Sequence, residues 1–157
     1  MTNVFIDGSA GTTGLRIHDR LAQRPDITLL ALPDDQRKDI AKRKEMLNAA
    51  DIAFLCLPDA AAIEAATLVE NPDTVIIDTS TAHRVNPGWT YGFPEILPDG
   101  QAVSMAKRIA NPGCHASGFI ALVAPLVRSG ILDPAAQLTC FSLTGYSGGG
   151  KSMIAQY

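Results

Sequence analysis

Val4-Phe5-Ile6-Asp7-Gly8-Ser9-Ala10-Gly11-Thr12-Thr13-Gly14 decides the fold. An apolar strand runs into glycine, and residues 12–23 follow with Leu15, Ile17, His18 and Leu21 at roughly helical spacing. Strand, glycine turn and helix in that order open a βαβ unit. Glycines here let the backbone turn tightly and approach a pyrophosphate whose charge sits at a helix N-terminus. Gly8, Ser9, Gly11, Thr12, Thr13 and Gly14 are therefore candidate cofactor contacts. The pattern is G-x-x-G-x-x-G rather than the usual G-x-G-x-x-G, since Ala10 stands at the middle glycine. A tight turn that binds nothing is the plainer alternative.

Outward from this stretch the alternation repeats. Residues 27–32 read as a second strand stopped by Pro33, and residues 35–48 as a polar helix. Residues 51–57 form a third strand, apolar on both faces, closed by Pro58-Asp59. An alanine-rich helix over 60–70 and a fourth strand over 74–78 follow. Continuous apolar strands suit a parallel sheet covered on both sides, and the β-α repeat predicts a doubly wound Rossmann-type α/β fold. Residues 79–100 break the rhythm with three prolines and three glycines, and a connection of this length is often functional. Regular structure returns near Val103. A long apolar helix is expected over 115–128 and a last strand over 138–144. The chain then reads as a dinucleotide-binding domain over 1–113 and the truncated opening of a second, α+β domain over 114–157.

Composition narrows the function. The 157 residues are 46% apolar and 18% charged, enough for a real core. A net charge of −3 gives no reason to expect nucleic acid or an anionic membrane as partner, which favours small-molecule chemistry. No apolar run is long enough to span a bilayer, and the N-terminus lacks the pattern of a signal peptide. Cys56, Cys114 and Cys140 share no CxxC spacing, so neither a disulfide framework nor a metal site is expected, and a cytoplasmic location is the default.

Cys114 is the candidate nucleophile. It sits in Asn111-Pro112-Gly113-Cys114-His115-Ala116-Ser117-Gly118, at the start of an apolar helix. There the helix dipole and free N–H groups stabilise a thiolate, and the same donors can hold an oxyanion once it attacks a carbonyl. Cys56 and Cys140 fall within apolar strands, so burial is their expected role. Ser80 and Arg84 in the long connection are candidate anion contacts, because arginine binds carboxylate or phosphate bidentately. His83 and His18 carry no signal beyond their presence.

Two readings stay open on residue chemistry alone. After the second strand, Asp34 or Asp35 would hold a ribose hydroxyl, whereas Arg37 and Lys38 could pair a 2′-phosphate. Gly145-Tyr146-Ser147-Gly148-Gly149-Gly150-Lys151-Ser152 matches the Walker A pattern and alone would suggest a P-loop nucleotide-binding protein. Against that, a nucleotide-type glycine loop already follows the first strand. A substrate-side glycine loop bearing Ser147 and Lys151 is as sensible.

These stretches together resemble the N-acetyl-γ-glutamyl-phosphate reductases of the shorter bacterial type. GSAGTTG at 8–14, DTSTAHR at 78–84, YGFPE at 91–95, NPGCHASG at 111–118 and TGYSGGGK at 144–151 carry the resemblance and span nearly the whole chain. It implies NADP as cofactor, and so Arg37 and Lys38 as contacts. It further implies an acyl phosphate substrate reduced through a Cys114 thioester in arginine biosynthesis, and a homo-oligomeric full-length enzyme. The family's acid/base histidine lies downstream, and His115 does not match it. Aspartate-semialdehyde dehydrogenase, with the same chemistry on another acyl phosphate, is the nearest alternative.

Overall fold

The computed structural model describes residues 1–98, 100–145, 148 and 154–156. Six strands form one sheet: β1 (Thr2–Asp7), β2 (Ile27–Leu30), β3 (Ile52–Leu55), β4 (Val75–Asp78), β5 (Thr90–Tyr91) and β6 (Arg108–Ala110). Their order is β2-β1-β3-β4-β6-β5 and every pairing is parallel. The helices are α1 (Thr12–Leu21), α2 (Ile40–Ala49), α3 (Asp59–Thr67), α4 (Ala102–Met105) and α5 (Cys114–Arg128).

The sheet is wound in both directions from β1. The chain moves one way to β2, then crosses back over β1 to β3 and continues to β4. Right-handed crossovers place α1 on one face and α2 and α3 on the other. The main core confirms the second placement: Phe5, Ala53, Leu55 and Ile76 from the strands pack with Leu47 of α2 and Ala65 of α3. The strand reversal opens a crevice at the C-terminal ends of β1 and β3, where doubly wound sheets bind ligands.

Some expected elements differ. The single helix expected over 35–48 is a 3-10 turn, Asp34–Gln36, followed by α2. Asp39 caps α2, accepting from the backbone N–H groups of Ala41 at 2.8 Å and Lys42 at 3.1 Å. The connection after β4 contains the two-residue β5 as an edge strand. Residues 138–144 are not a strand, because no ladder partner lies beside them among the described residues. Cys140, expected to be buried there, is exposed.

Candidate functional site

The glycine loop is built by steric necessity at two of its three glycines. Gly8 has φ +88°, and a Cβ there would stand 2.2 Å from the Cys56 carbonyl oxygen at the end of β3. At Gly14 a Cβ would lie 2.4 Å from the Gly8 carbonyl oxygen. Gly8 thus lets the loop cross β3, and Gly14 lets α1 pack onto the loop. Gly11 is less confined, with Gly8 O 3.3 Å from its would-be Cβ, and it stands at the N-cap of α1 with no side chain to offer. The first-turn N–H groups of α1, at Thr12 and Thr13, are left to an outside acceptor. Ala10 is exposed, so the missing middle glycine removes no space.

Beside the loop lies a cleft of about 550 Å³, lined by Gly8, Ser9, Ala10, the end of β2, Arg37 and Lys38. Gly11, Thr12, Thr13 and Gly14 stand at the helix start and do not line it. Asp34 and Asp35, the acidic candidates, are also absent from its walls. Asp34 instead pairs with Arg37 at 2.6 Å, its own side chain 87% exposed. The wall after β2 is therefore apolar and cationic. That surface, next to uncapped N–H groups, fits a phosphorylated dinucleotide.

Sequence reasoning missed what holds the loop's root. Asp7, the last residue of β1, is buried and meets the guanidinium of Arg43 on α2, whose Nη2 donates at 2.9 Å and Nε at 3.1 Å. The readable signal is an acid at the end of a buried strand, which must find a donor. The same signal recurs at Asp78, the last residue of β4. Its Oδ1 accepts from Ser80 N–H at 3.0 Å, and its Oδ2 from Ser80 Oγ at 2.6 Å. The Nδ1 of buried His83 stands 2.6 Å from the same Oδ2. Ser80, a candidate anion contact, is 7% exposed, and its hydroxyl donates to Asp78.

Cys114 is the first residue of α5 and is exposed. Gly113 is its N-cap and provides no capping side chain, so first-turn N–H groups are free to meet a developing oxyanion. Arg84 reaches the same turn. Its Nε donates to Asn111 O at 3.1 Å, and its Nη1 lies 2.5 Å from where a Gly113 Cβ would be. An open cleft of about 790 Å³ runs from Cys114 and His115 past Phe119 and Leu122 to the 138–145 segment. His115 Nδ1 pairs with Ser142 Oγ across it. Cys56 lies apart, and burial pushes its thiol up to about 11. Ser147 and Lys151, with most of the Walker-type loop, lie outside the described residues.

A glycine loop at the switch point of a doubly wound parallel sheet, with an exposed cysteine opening a helix at the same edge, defines a dinucleotide-binding module that presents a free thiol. Residues 3–104 match the family described as semialdehyde dehydrogenase, NAD binding domain. The chain belongs to the semialdehyde dehydrogenase family. Similar curated relatives are named N-acetyl-gamma-glutamyl-phosphate reductase. That of Chelativorans sp. (strain BNC1) is 56% identical over 155 residues, covering 98% of this chain and 50% of the relative. That of Burkholderia orbicola (strain MC0-3) is 52% identical over 153 residues, covering 96% and 49%. The chain spans about half the length of the curated relatives it matches. Among solved structures, aspartate semialdehyde dehydrogenase II of Vibrio cholerae superposes with a TM-score of 0.65 at 19% identity, covering 99% of this chain and 50% of that one. Aspartate semialdehyde dehydrogenase of Candida albicans gives 0.55 at 16%, covering 82% and 47%. At such identity the likeness is one of fold. No helix among the described residues is long and apolar enough to cross a membrane.

Proposed function

We propose that this chain carries the NADP-binding and nucleophile-bearing part of an N-acetyl-γ-glutamyl-phosphate reductase, which reduces the acyl phosphate to its semialdehyde in arginine biosynthesis. Residues 1–113 form the cofactor domain and 114–157 open the catalytic one. The observation that carries the reading is Cys114, exposed at an uncapped helix start beside Arg84, in a chain 50–56% identical to reductases of that name. The Cys114 thiolate attacks the acyl carbonyl, the first-turn N–H groups of α5 receive the oxyanion, and phosphate leaves as the thioester forms. Arg84, against the Gly113 turn, is a candidate contact for the phosphoryl oxygens, and Ser147 and Lys151 are further candidates on the substrate side. The 8–14 loop would hold NADP, with Arg37 and Lys38 lining the same cleft as candidates for its 2′-phosphate, and the reduced cofactor would supply the hydride.

A homo-oligomeric full-length enzyme in the cytoplasm belongs to the same reading. Aspartate-semialdehyde dehydrogenase activity is less favoured, because its support is a likeness of fold. Intact-mass and peptide analysis after mixing the chain with N-acetylglutamyl phosphate tests the proposal. One acyl adduct on Cys114, with matching phosphate release and none in Cys114→Ser, is expected. An adduct formed only with β-aspartyl phosphate would replace the substrate, and acylation at Cys140 alone would sink the assignment. NADPH should still bind Cys114→Ser.

A further inference from the structure

The buried cluster after β4 is more elaborate than a loop anchor requires. Asp78 is fully buried, and its carboxylate receives the Ser80 N–H, the Ser80 hydroxyl and the His83 Nδ1. His83 is 4% exposed, and its ring stacks on Trp89 with centroids 3.9 Å apart and planes 13° from parallel. One ring edge is thus fixed by a carboxylate and one face by an indole. A buried polar cluster of this kind is weak evidence for stability, since apolar packing can do as well. It does define geometry.

What it defines is the next residue. Arg84 leaves the cluster and spans two loops: Nε donates to Asn111 O at 3.1 Å, and Nη2 to Thr79 O at 3.4 Å. Its Nη1 fills the space a side chain at Gly113 would need. Asn111 N–H in turn donates to Asp78 O at 2.7 Å, so β4 and the Cys114 turn share one frame. Asp59 fixes the near side of the loop by accepting from the N–H and the hydroxyl of Thr81.

We propose that the buried Asp78–His83 pair is a positioning device that holds the Arg84 guanidinium against the Gly113-Cys114 turn, so that a positive charge faces anions arriving at Cys114. The meaning for catalysis rests on the reductase reading, but the device can be tested without any substrate.

The test is the rate of Cys114 alkylation in the whole chain by iodoacetate, an anion, and by iodoacetamide, its neutral analogue, resolved by peptide mass. Both reagents consume the same thiolate, so their ratio cancels its population and reports local charge. One unit charge within about 4 Å in water is worth roughly fivefold in the ratio. Arg84→Gln is expected to lower the Cys114 ratio by about that factor and to leave Cys140 unchanged. His83→Ala should fall to the same floor, while His83→Asn, whose amide can donate in place of Nδ1, should recover most of it. If His83→Ala does not fold, His83→Asn against His83→Gln decides, because the longer amide does not reproduce Nδ1. A ratio that stays at the wild-type value in His83→Ala, or is equal in the Asn and Gln variants, would overturn the positioning role. No change in Arg84→Gln would overturn the charge at Cys114. Failure to find an acyl adduct would leave all of these ratios as they are, which keeps the two ideas separable.

Discussion

At the scale of single residues, four positions show how space and charge set chemistry. Gly8 combines a left-handed φ with a carbonyl oxygen 2.2 Å from any Cβ. Gly8→Ala should lower stability by at least about 2 kcal/mol and abolish nucleotide binding, read by denaturant unfolding and NADPH fluorescence. Gly88 is the control. It has φ +86° but nothing within 4 Å of a Cβ, so Gly88→Ala should cost only the backbone strain, about 1 kcal/mol. Cys56 shows burial acting on a thiol. With its value pushed up to about 11 by desolvation, it should resist alkylation at pH 8 while the exposed Cys114 and Cys140 react. Labelling at Cys56 should rise only as pH nears 11. The same shift makes the folded state hold its proton longer than the unfolded one. Its contribution to stability is complete below the ordinary thiol range and is lost as pH rises through the folded value. Asp59 shows the opposite sign. Bonds from Thr81 lower its carboxyl, so its contribution is present above the ordinary carboxylate range and is lost as pH falls through the lowered value. Thr81→Val should bring the Asp59 titration, followed by NMR, back up.

At the scale of elements, the bond between Asp7 and Arg43 joins the end of β1 to α2 on the core side of the sheet. Removing one partner strands a buried charge, so Arg43→Ala should destabilise by about 3 kcal/mol in urea unfolding, and a paired Asp7→Leu/Arg43→Met change should restore much of that. Asp39→Ala, which uncaps α2, should lower stability by about 1 kcal/mol. The contrast between these pairs explains what was legible in the sequence. Strand runs such as Val75-Ile76-Ile77 and the alanine-rich α3 announce themselves by local pattern, which is why β1 to β4, α1 and α3 were readable. The glycine loop and Cys114 stand out in the sequence because their signals are local too, and the fold places each at a helix start. Arg43 was not, since its partner lies 36 positions away and nothing in α2 marks it out among neighbouring cations. His83 was not readable either, although its partners Asp78 and Trp89 are close in sequence, because only the fold buries its ring between them and turns the Ser80 hydroxyl inward. The 138–144 run failed differently. Apolar β-branched and aromatic residues give a strand only when a neighbour completes the ladder.

At the scale of the whole molecule, burial is uneven. The fully covered side chains all lie on the sheet, on α2 and α3, and in the loops between them, whereas no residue of α5 is buried. Phe119, Leu122 and Leu126 on α5 are exposed, as are Ile131, Leu138, Phe141 and Leu143 beyond it. Several of these line the cleft at Cys114, so one surface is both apolar and adjacent to the candidate nucleophile. Contiguous apolar area of this extent is rare on soluble monomers and drives association. The 157-residue chain should therefore bind the apolar dye ANS while fully folded, and its sedimentation should depend on concentration. Leu122→Glu with Phe141→Ser should reduce both effects severalfold without shifting the unfolding midpoint, because neither side chain belongs to the core. A midpoint that falls with the double substitution would mean that α5 and the 138–144 segment are packed into the cooperative unit after all. Dye binding that is absent from the unaltered chain would mean that this surface is covered in solution. The cofactor crevice at β1 and β3 uses none of these residues, so NADPH affinity should be the same in both proteins.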